Sequence, residues 1–89
     1  MSNQEETLFE FPCEFPLKVM GRNETGFENH VMAIIYRHID EIKILDSKCR
    51  PSKKGNFVSV SITILAQSKQ QLDDLYIELN ASDAVLMTL

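Results

Sequence analysis

Hydrophobic residues recur along the chain with two periods, one typical of strands and one typical of helices. Every second residue is apolar in a first segment that ends at Gly21: Phe15, Leu17 and Val19. The clearest alternation comes later, where one side of the segment is entirely aliphatic: Val58, Val60, Ile62 and Ile64. A period of two places these side chains on one face of a strand, so both segments predict β-strands with one buried face.

Two other segments carry apolar residues at helical spacing. The first stripe is Phe27, Val31, Ile34, Ile35 and Ile39, and the second is Leu72, Leu75, Tyr76 and Leu79. A pair with capping-box spacing precedes each stripe, Thr25 with Glu28 and Ser68 with Gln71. We therefore expect amphipathic helices from Gly26 to about His38 and from Ser68 to near Asn80.

Two shorter apolar runs complete the pattern. The run from Ile42 to Leu45 is rich in branched residues and opens a strand toward Cys49 and Arg50, and residues 84–89 form a final strand. Proline has no amide to donate to a neighbouring strand. Pro51 therefore predicts that the second strand lies at a sheet edge, with a turn at residues 53–56.

The resulting order is strand, helix, strand, strand, helix, strand. This order predicts an α+β fold, the ferredoxin-like βαββαβ plait, with two helices on one face of a four-stranded antiparallel sheet in the order 4-1-3-2. The first residues are acidic and without period, so we expect residues 1–8 to form a flexible arm and residues 9–89 to form a single domain.

Composition excludes several classes of function. The 89 residues include 13 acidic and nine basic ones, a net charge of −4 that opposes general nucleic-acid binding. No apolar run is long enough for a membrane span, and the start is polar, so we expect a cytoplasmic protein. Cys13 and Cys49 are isolated, and His30 and His38 are about 12 Å apart by helical rise. We expect free thiols, no metal and no cofactor.

Four of the nine basic residues lie within seven positions around the predicted hairpin: Lys48, Arg50, Lys53 and Lys54. On alternating strand geometry Lys48 and Arg50 point the same way, which favours docking of an anionic metabolite or an acidic protein partner, with Phe57 as a contact surface. The alternative is a charged hairpin that only protects the sheet edge from aggregation.

The predicted open face of the sheet is neither strongly charged nor strongly apolar. It carries Lys18, Met20, Ser59, Ser61 and Thr63. Small hydroxyl side chains allow a metabolite or a second copy of the chain to approach closely, so a homodimer is one interpretation. They are equally typical of a solvated strand.

Two other functions, RNA binding and acylphosphatase activity, have weaker support in the sequence. RNA-binding plaits stack bases on outward aromatic side chains, and here Ser59 and Ser61 follow Phe57 on its own face. Acylphosphatases hold a phosphate with an arginine and helix amides after the first strand, where this chain has Arg22. Their chemistry also requires an amide side chain on the neighbouring central strand, which this chain lacks, so we expect no catalytic residues.

Several stretches resemble the YbeD family of small bacterial proteins. They are Phe11-Pro12, residues 18–21, residues 51–64, residues 75–79 and residues 85–89. The resemblance covers nearly the whole chain and implies the same plait, similar to regulatory ACT-type domains that bind small metabolites. It implies no activity, and it suggests a link to lipoate metabolism through gene neighbourhood. Our hypothesis is therefore a noncatalytic regulatory or interaction module.

Overall fold

The computed structural model describes residues 10–89. The strands are β1 Cys13–Arg22, β2 Ile44–Pro51, β3 Phe57–Ala66 and β4 Val85–Thr88. The α-helices are α1 Phe27–His38 and α2 Lys69–Ala81, and a 3₁₀ turn, Glu41–Lys43, precedes β2. The predicted arm and Phe9 lie outside the described residues, so the predicted domain boundary stays a prediction.

The four strands form one antiparallel sheet in the order β2-β3-β1-β4, which confirms the predicted order. β1 and β3 pair along their whole length, from Cys13 opposite Ala66 to Arg22 opposite Phe57. β2 and β4 form the two edges. Pro51 lies at the end of edge strand β2. No strand pairs with the outer side of β2, so the N–H that proline lacks is not needed for a hydrogen bond there.

The core lies between the helices and one face of the sheet. Its sheet side is built from alternate residues of the two central strands: Leu17, Val19, Val58, Val60, Ile62 and Ile64. Its helix side is built from the two apolar stripes: Phe27, Val31, Ile34, Ile35, Leu72, Leu75 and Leu79. The periods of two and 3.6 therefore identify most of the buried residues, while Phe15 and Tyr76 of the predicted stripes are only partly buried and pack against the core. The α+β ferredoxin-like plait is confirmed.

The start of α1 differs from the prediction. Gly26 occupies the N-cap position with φ +88°, in the left-handed region, and the helix has no side-chain cap. The predicted capping box of Thr25 and Glu28 is therefore wrong. A capping box needs an extended residue with an oxygen-bearing side chain at the cap. Here the backbone turns at a glycine instead, and the Gly26 carbonyl accepts from the His30 amide at 2.9 Å.

At the start of α2, one of the two hydrogen bonds of the predicted capping box is present. Ser68 Oγ accepts a hydrogen bond from the Gln71 amide at 3.1 Å. The Gln71 side chain does not return this bond to Ser68. Its Oε1 accepts from the Gln67 amide at 2.8 Å, and its Nε2 donates to the His38 carbonyl at 3.0 Å. Gln71 thereby ties the start of α2 to the end of α1.

The second strand begins later than predicted. Ile42 lies in the 3₁₀ turn, where the Lys43 amide donates to the Asp40 carbonyl at 2.8 Å, and it is 82% exposed. β2 starts at Ile44 and contains an irregularity between Ile44 and Asp46. A run of four residues of which three are aliphatic does not distinguish a strand from a tight turn.

Candidate functional site

The sheet has an open face, which we define as the side turned away from α1 and α2. Successive side chains of a strand alternate between the two faces. Since the even-numbered residues of β3 from Val58 to Ile64 are buried under the helices, its odd-numbered residues lie on the open face. They are Phe57, Ser59, Ser61, Thr63 and Leu65. Residues directly opposite on a neighbouring strand share the same face, so the strand register identifies the rest of the surface.

Two rows of this register bring basic side chains together across a floor of serines. Ser61 lies between Lys18 of β1 and Lys48 of β2. Ser59 lies between Met20 of β1 and Arg50 of β2. Neighbouring strands are about 4.8 Å apart, so the two flanking strands are separated by about 10 Å. Long side chains therefore flank a shallow strip of half-buried hydroxyl residues, which we call the serine trough (Ser59, Ser61 and Thr63).

The charges of the open face are segregated along the strands. Arg22, opposite Phe57, adds a fourth basic side chain at the hairpin end, beside the three that flank the trough. Glu14, opposite Leu65, and Asp46, opposite Thr63, lie toward the other end. Four basic and two acidic side chains give the face a side-chain charge of +2 in a chain of net charge −4. The face is thus a positive surface on a negative protein.

The basic cluster predicted from the sequence divides into two parts. Lys48 and Arg50 lie on β2 and join the open face. Lys53 and Lys54 lie in the exposed turn beyond it, where the Gly55 amide donates to the Ser52 carbonyl at 2.9 Å. The turn is also bonded to the β1–α1 loop, because Asn23 Nδ2 donates to the Gly55 carbonyl at 2.9 Å. Lys53 and Lys54 therefore have no partner in the strand register.

Two hollows lie along the trough. The hairpin hollow, of about 190 Å³, includes Met20, Arg50, Phe57 and Ser59 in its lining. The Leu89 hollow, of about 310 Å³, lies further along β3 and is lined by Pro16, Leu17, Lys18, Ser61, Ile62, Thr63 and Leu89. Each hollow combines apolar surface with one of the basic side chains. The open face therefore offers apolar contacts beside its basic side chains at two places.

A third hollow, of about 250 Å³, lies at the start of α1 and is where an acylphosphatase-type site would be expected. Its lining includes Glu24, Glu28 and Cys49. Burial raises the pKa of the Cys49 thiol, and the charge of the neighbouring Glu28 raises it further. Arg22 lies in register with Phe57 and so belongs to the open face, on the other side of the sheet. The structure does not bring the predicted arginine to the helix amides.

The open face also lacks the aromatic side chains of an RNA-binding plait. Phe57 is 43% exposed, and the positions that follow it on β3 carry hydroxyls. The facing positions of β1 are Met20 and Lys18. Base stacking requires several outward aromatic rings. Of the open-face positions that the register assigns, Phe57 is the single aromatic one.

The histidines form hydrogen bonds between elements. His30 Nε2 lies 2.7 Å from Ser82 Oγ, and His38 Nε2 lies 2.7 Å from Glu78 Oε1. Within residues 10–89 no three histidine, cysteine or acidic side chains are grouped as metal ligands. Within the same residues both cysteines are free thiols, and no helix has the length and apolar character of a bilayer span.

Sequence reasoning did not find that Lys18 faces Lys48 across one serine. It placed Lys18 on the open face and Lys48 in the hairpin cluster as two separate surfaces, and it considered Arg22 only for the helix start. Part of this arrangement could have been found from the sequence. The alternation along each strand assigns Lys18, Lys48 and Ser61 to a face, and the sheet order places β3 between β1 and β2. The missing part was the register between strands that are distant in sequence.

Comparisons with known proteins agree with this fold. A family model described as "Protein of unknown function (DUF493)" matches residues 6–89. A "UPF0250 protein" of Chromobacterium violaceum is 37% identical over 89 residues, which is all of both chains.

Two solved structures share the fold at low sequence identity. The ACT domain of a GTP pyrophosphokinase from Chlorobium tepidum has a TM-score of 0.69 and 14% identity, covering 85% of this chain and 94% of that domain. The C-terminal domain of the MgtC protein from Mycobacterium tuberculosis has a TM-score of 0.66 and 15% identity, covering 91% and 88%. The resemblance seen in the sequence is confirmed: the chain belongs to the DUF493, or UPF0250, family of small bacterial proteins with an ACT-like plait.

Proposed function

We propose that this protein is a noncatalytic, cytoplasmic binding module that takes an anionic ligand on its open face. The ligand presents carboxylate or phosphate groups and belongs to a small metabolite or to a protein partner. The observation that carries the proposal is the row in which Lys18 and Lys48 flank Ser61.

The chemistry of this row suits an anion. Two ammonium groups supply charge, and the hydroxyl between them supplies a hydrogen-bond donor of small size. Arg50 extends the positive surface to the next row, and a guanidinium donates to two oxygens of one carboxylate or phosphate. The ACT-like fold supports a regulatory binding role as well. The family resemblance seen in the sequence implies a similarity to regulatory ACT-type domains, and domains of that type bind small metabolites.

The negative charge of the rest of the molecule makes the open face the favoured place for an anion to bind. Outside the open face, residues 10–89 carry nine acidic and five basic side chains, a net side-chain charge of −4. An anion is therefore repelled by most of the surface and attracted to one side of the sheet. This contrast favours a defined site over diffuse binding.

The proposal is tested by titrating the protein with sodium pyrophosphate and with sodium citrate while recording amide chemical shifts. We expect saturable shifts at Lys18, Ser59 and Ser61. We also expect them to be lost in the double variant K48E/R50E. The matched control is K53E/K54E, which changes the net charge by the same amount in the turn beyond the face.

The two variants separate a local site from a general charge effect. Equal loss of binding in both would indicate only the total charge of the chain. Shifts that cluster at the start of α1, or no saturable shifts at all, would contradict the proposal. Circular dichroism of each variant shows whether its fold is intact.

A further inference from the structure

The two hollows on the open face narrow the class of ligand. The hairpin hollow is centred on the row of Ser59 and the Leu89 hollow on the rows of Ser61 and Thr63. Along β3 this separation is about three residues, or about 10 Å. Lys18 and Ser61 line the Leu89 hollow, and Arg50 lines the hairpin hollow, so each hollow includes a basic side chain. Lys48 lies opposite Ser61 on β2.

A small anion uses only part of this surface. One phosphate or carboxylate group is satisfied by a single row of the trough. Phe57, which is 43% exposed, and Leu89, which is 64% exposed, then keep their apolar surface in water. A ligand that spans both hollows buries apolar area at each end, and such burial contributes about 25 cal/mol per Å². The geometry therefore favours an elongated ligand with apolar groups on both sides of its negative charges.

Charge excludes the second copy of this chain as the favoured occupant. Two open faces brought together would each present a side-chain charge of +2. Like charges across an interface are destabilising. A nucleic-acid strand has the required charge but needs stacking platforms, and Phe57 is the single aromatic residue among the assigned positions of the face.

We propose that the open face binds an acidic peptide segment of another protein, with an apolar side chain in each hollow and carboxylates against Lys18, Lys48 and Arg50. This inference rests on the proposed function and names the partner's chemistry. An acidic chain of this kind places its carboxylates at the adjacent rows of Ser59 and Ser61, where the three basic side chains lie. Its apolar side chains then contact Phe57 in the hairpin hollow and Leu89 in the Leu89 hollow.

The test uses fluorescein-labelled synthetic peptides of about twelve residues, read by anisotropy. The first peptide has leucines on both sides of a block of glutamates, about 10 Å apart in an extended chain. The second has the same composition with both leucines at one end. The third replaces the glutamates with glutamine. We expect the first peptide to bind at least about ten times more tightly than the other two.

Three variants connect binding to the trough. K48E/R50E is expected to weaken the first peptide by at least about tenfold, and K53E/K54E by less than about threefold. F57S is expected to weaken the first peptide by a larger factor than it weakens pyrophosphate, because Phe57 lines the hairpin hollow and carries no charge. A thermal melt of each variant identifies any that has lost its fold, and in that case M20S replaces F57S.

The outcomes distinguish this inference from the proposed function. If pyrophosphate binds at the trough but the three peptides bind alike, or F57S changes nothing, the peptide inference is wrong and the anion site stands. If neither pyrophosphate nor any peptide binds, both fail. Tighter binding of oligouridine than of the first peptide would overturn the inference in favour of RNA. Self-association abolished by K48E/R50E would overturn it in favour of a second copy.

Discussion

At the scale of single residues, Gly21 shows how closely β1 is packed at its end. A Cβ atom at this position would lie 2.3 Å from Phe27 Cε1 and 2.5 Å from the carbonyl oxygen of Ala84. The first is part of a buried ring, and the second is backbone, so neither moves away at low cost. Glycine is required here by space, since its φ lies outside the left-handed region.

We expect Gly21→Ala to lower the free energy of unfolding by about 1 to 3 kcal/mol, the usual cost of overpacking a core. Urea denaturation followed by circular dichroism measures the change. The control is Gly55→Asn in the hairpin turn. Gly55 has φ +77° but open space around it, and asparagine tolerates that conformation. An equal loss in both variants would show that crowding at Gly21 is not the cause.

Cys49 offers a second test at this scale. Partial burial raises the pKa of its thiol, and Glu28 raises it further by its charge and by a hydrogen bond. Since the thiolate is the reactive form, we expect iodoacetamide at neutral pH to alkylate Cys49 more slowly than it alkylates the amino acid cysteine in solution. We expect Glu28→Gln to accelerate it. Cys13, whose alkylation is followed on the same protein by mass spectrometry, is the internal control, and an unchanged Cys49 rate would contradict the assignment.

At the scale of elements, the two sides of α2 differ in their expected contribution to the stability of the fold: the apolar stripe is buried and the outer side is exposed. Leu75 is fully buried against the sheet, while Ile77, two residues later, is 68% exposed. We expect Leu75→Ala to lower the free energy of unfolding by about 2 to 5 kcal/mol because it leaves a cavity. We expect Ile77→Ala to change it by less than about 0.5 kcal/mol. Urea denaturation measures both, and similar losses would contradict the orientation of α2.

The two helices are joined by a charged cluster on their outer surface. Arg37 Nε donates to Glu78 Oε2 at 2.7 Å, a second guanidinium nitrogen of Arg37 contacts the same oxygen, and His38 Nε2 lies near Oε1. The hydrogen bond from Arg37, followed by that from His38, lowers the pKa of Glu78. Its carboxylate is therefore more stable in the folded than in the unfolded chain.

This shift predicts a pH-dependent contribution to stability. A depressed carboxyl pKa stabilises the fold above the unfolded value of about 4.3, and the contribution is lost as the pH falls through the folded value. We expect the stability difference between the natural chain and Glu78→Gln to be constant from neutral pH to about pH 5 and to shrink below that. Urea denaturation across pH measures it. Asp74→Asn on the same helix is the control. A stability difference that grows in acid would contradict the stabilisation of the Glu78 carboxylate by Arg37 and His38.

At the scale of the whole molecule, charge is distributed by face. The open face carries a side-chain charge of +2, and the other side chains of residues 10–89 carry −4. β2, with Pro51, Lys48 and Arg50, forms an edge that resists pairing with another sheet. The molecule therefore combines a repulsive surface toward its own copies with an attractive one toward anions.

From this distribution we expect the chain to be monomeric in dilute salt. Sedimentation equilibrium at about 20 mM and at about 500 mM sodium chloride tests it, because salt screens the repulsion between two open faces. Any dimer formed through these faces is expected to be more stable at the higher salt. A dimer that forms at low salt and dissociates at high salt would indicate an interface held by opposite charges instead.

The fold was predictable because its signals are local. The alternation from Val58 to Ile64 and the helical stripe from Phe27 to Ile35 each depend on residues within a few positions of one another. Where a local signal was ambiguous the prediction was wrong. Thr25 with Glu28 has the spacing of a capping box, but Gly26 forms the cap through its backbone.

By itself, the sequence determined the elements, their order, the buried faces and the edge position of Pro51, since periodicity and proline chemistry act over short distances. Only the tertiary structure decided that Lys18 and Lys48 lie on either side of Ser61, while Lys53 and Lys54 lie in the turn outside the strand register. That juxtaposition depends on the register between β1 and β3, whose paired residues are 35 or more positions apart in the sequence. Register is decided when the core packs, because a slip of one residue would turn the buried aliphatic side chains outward.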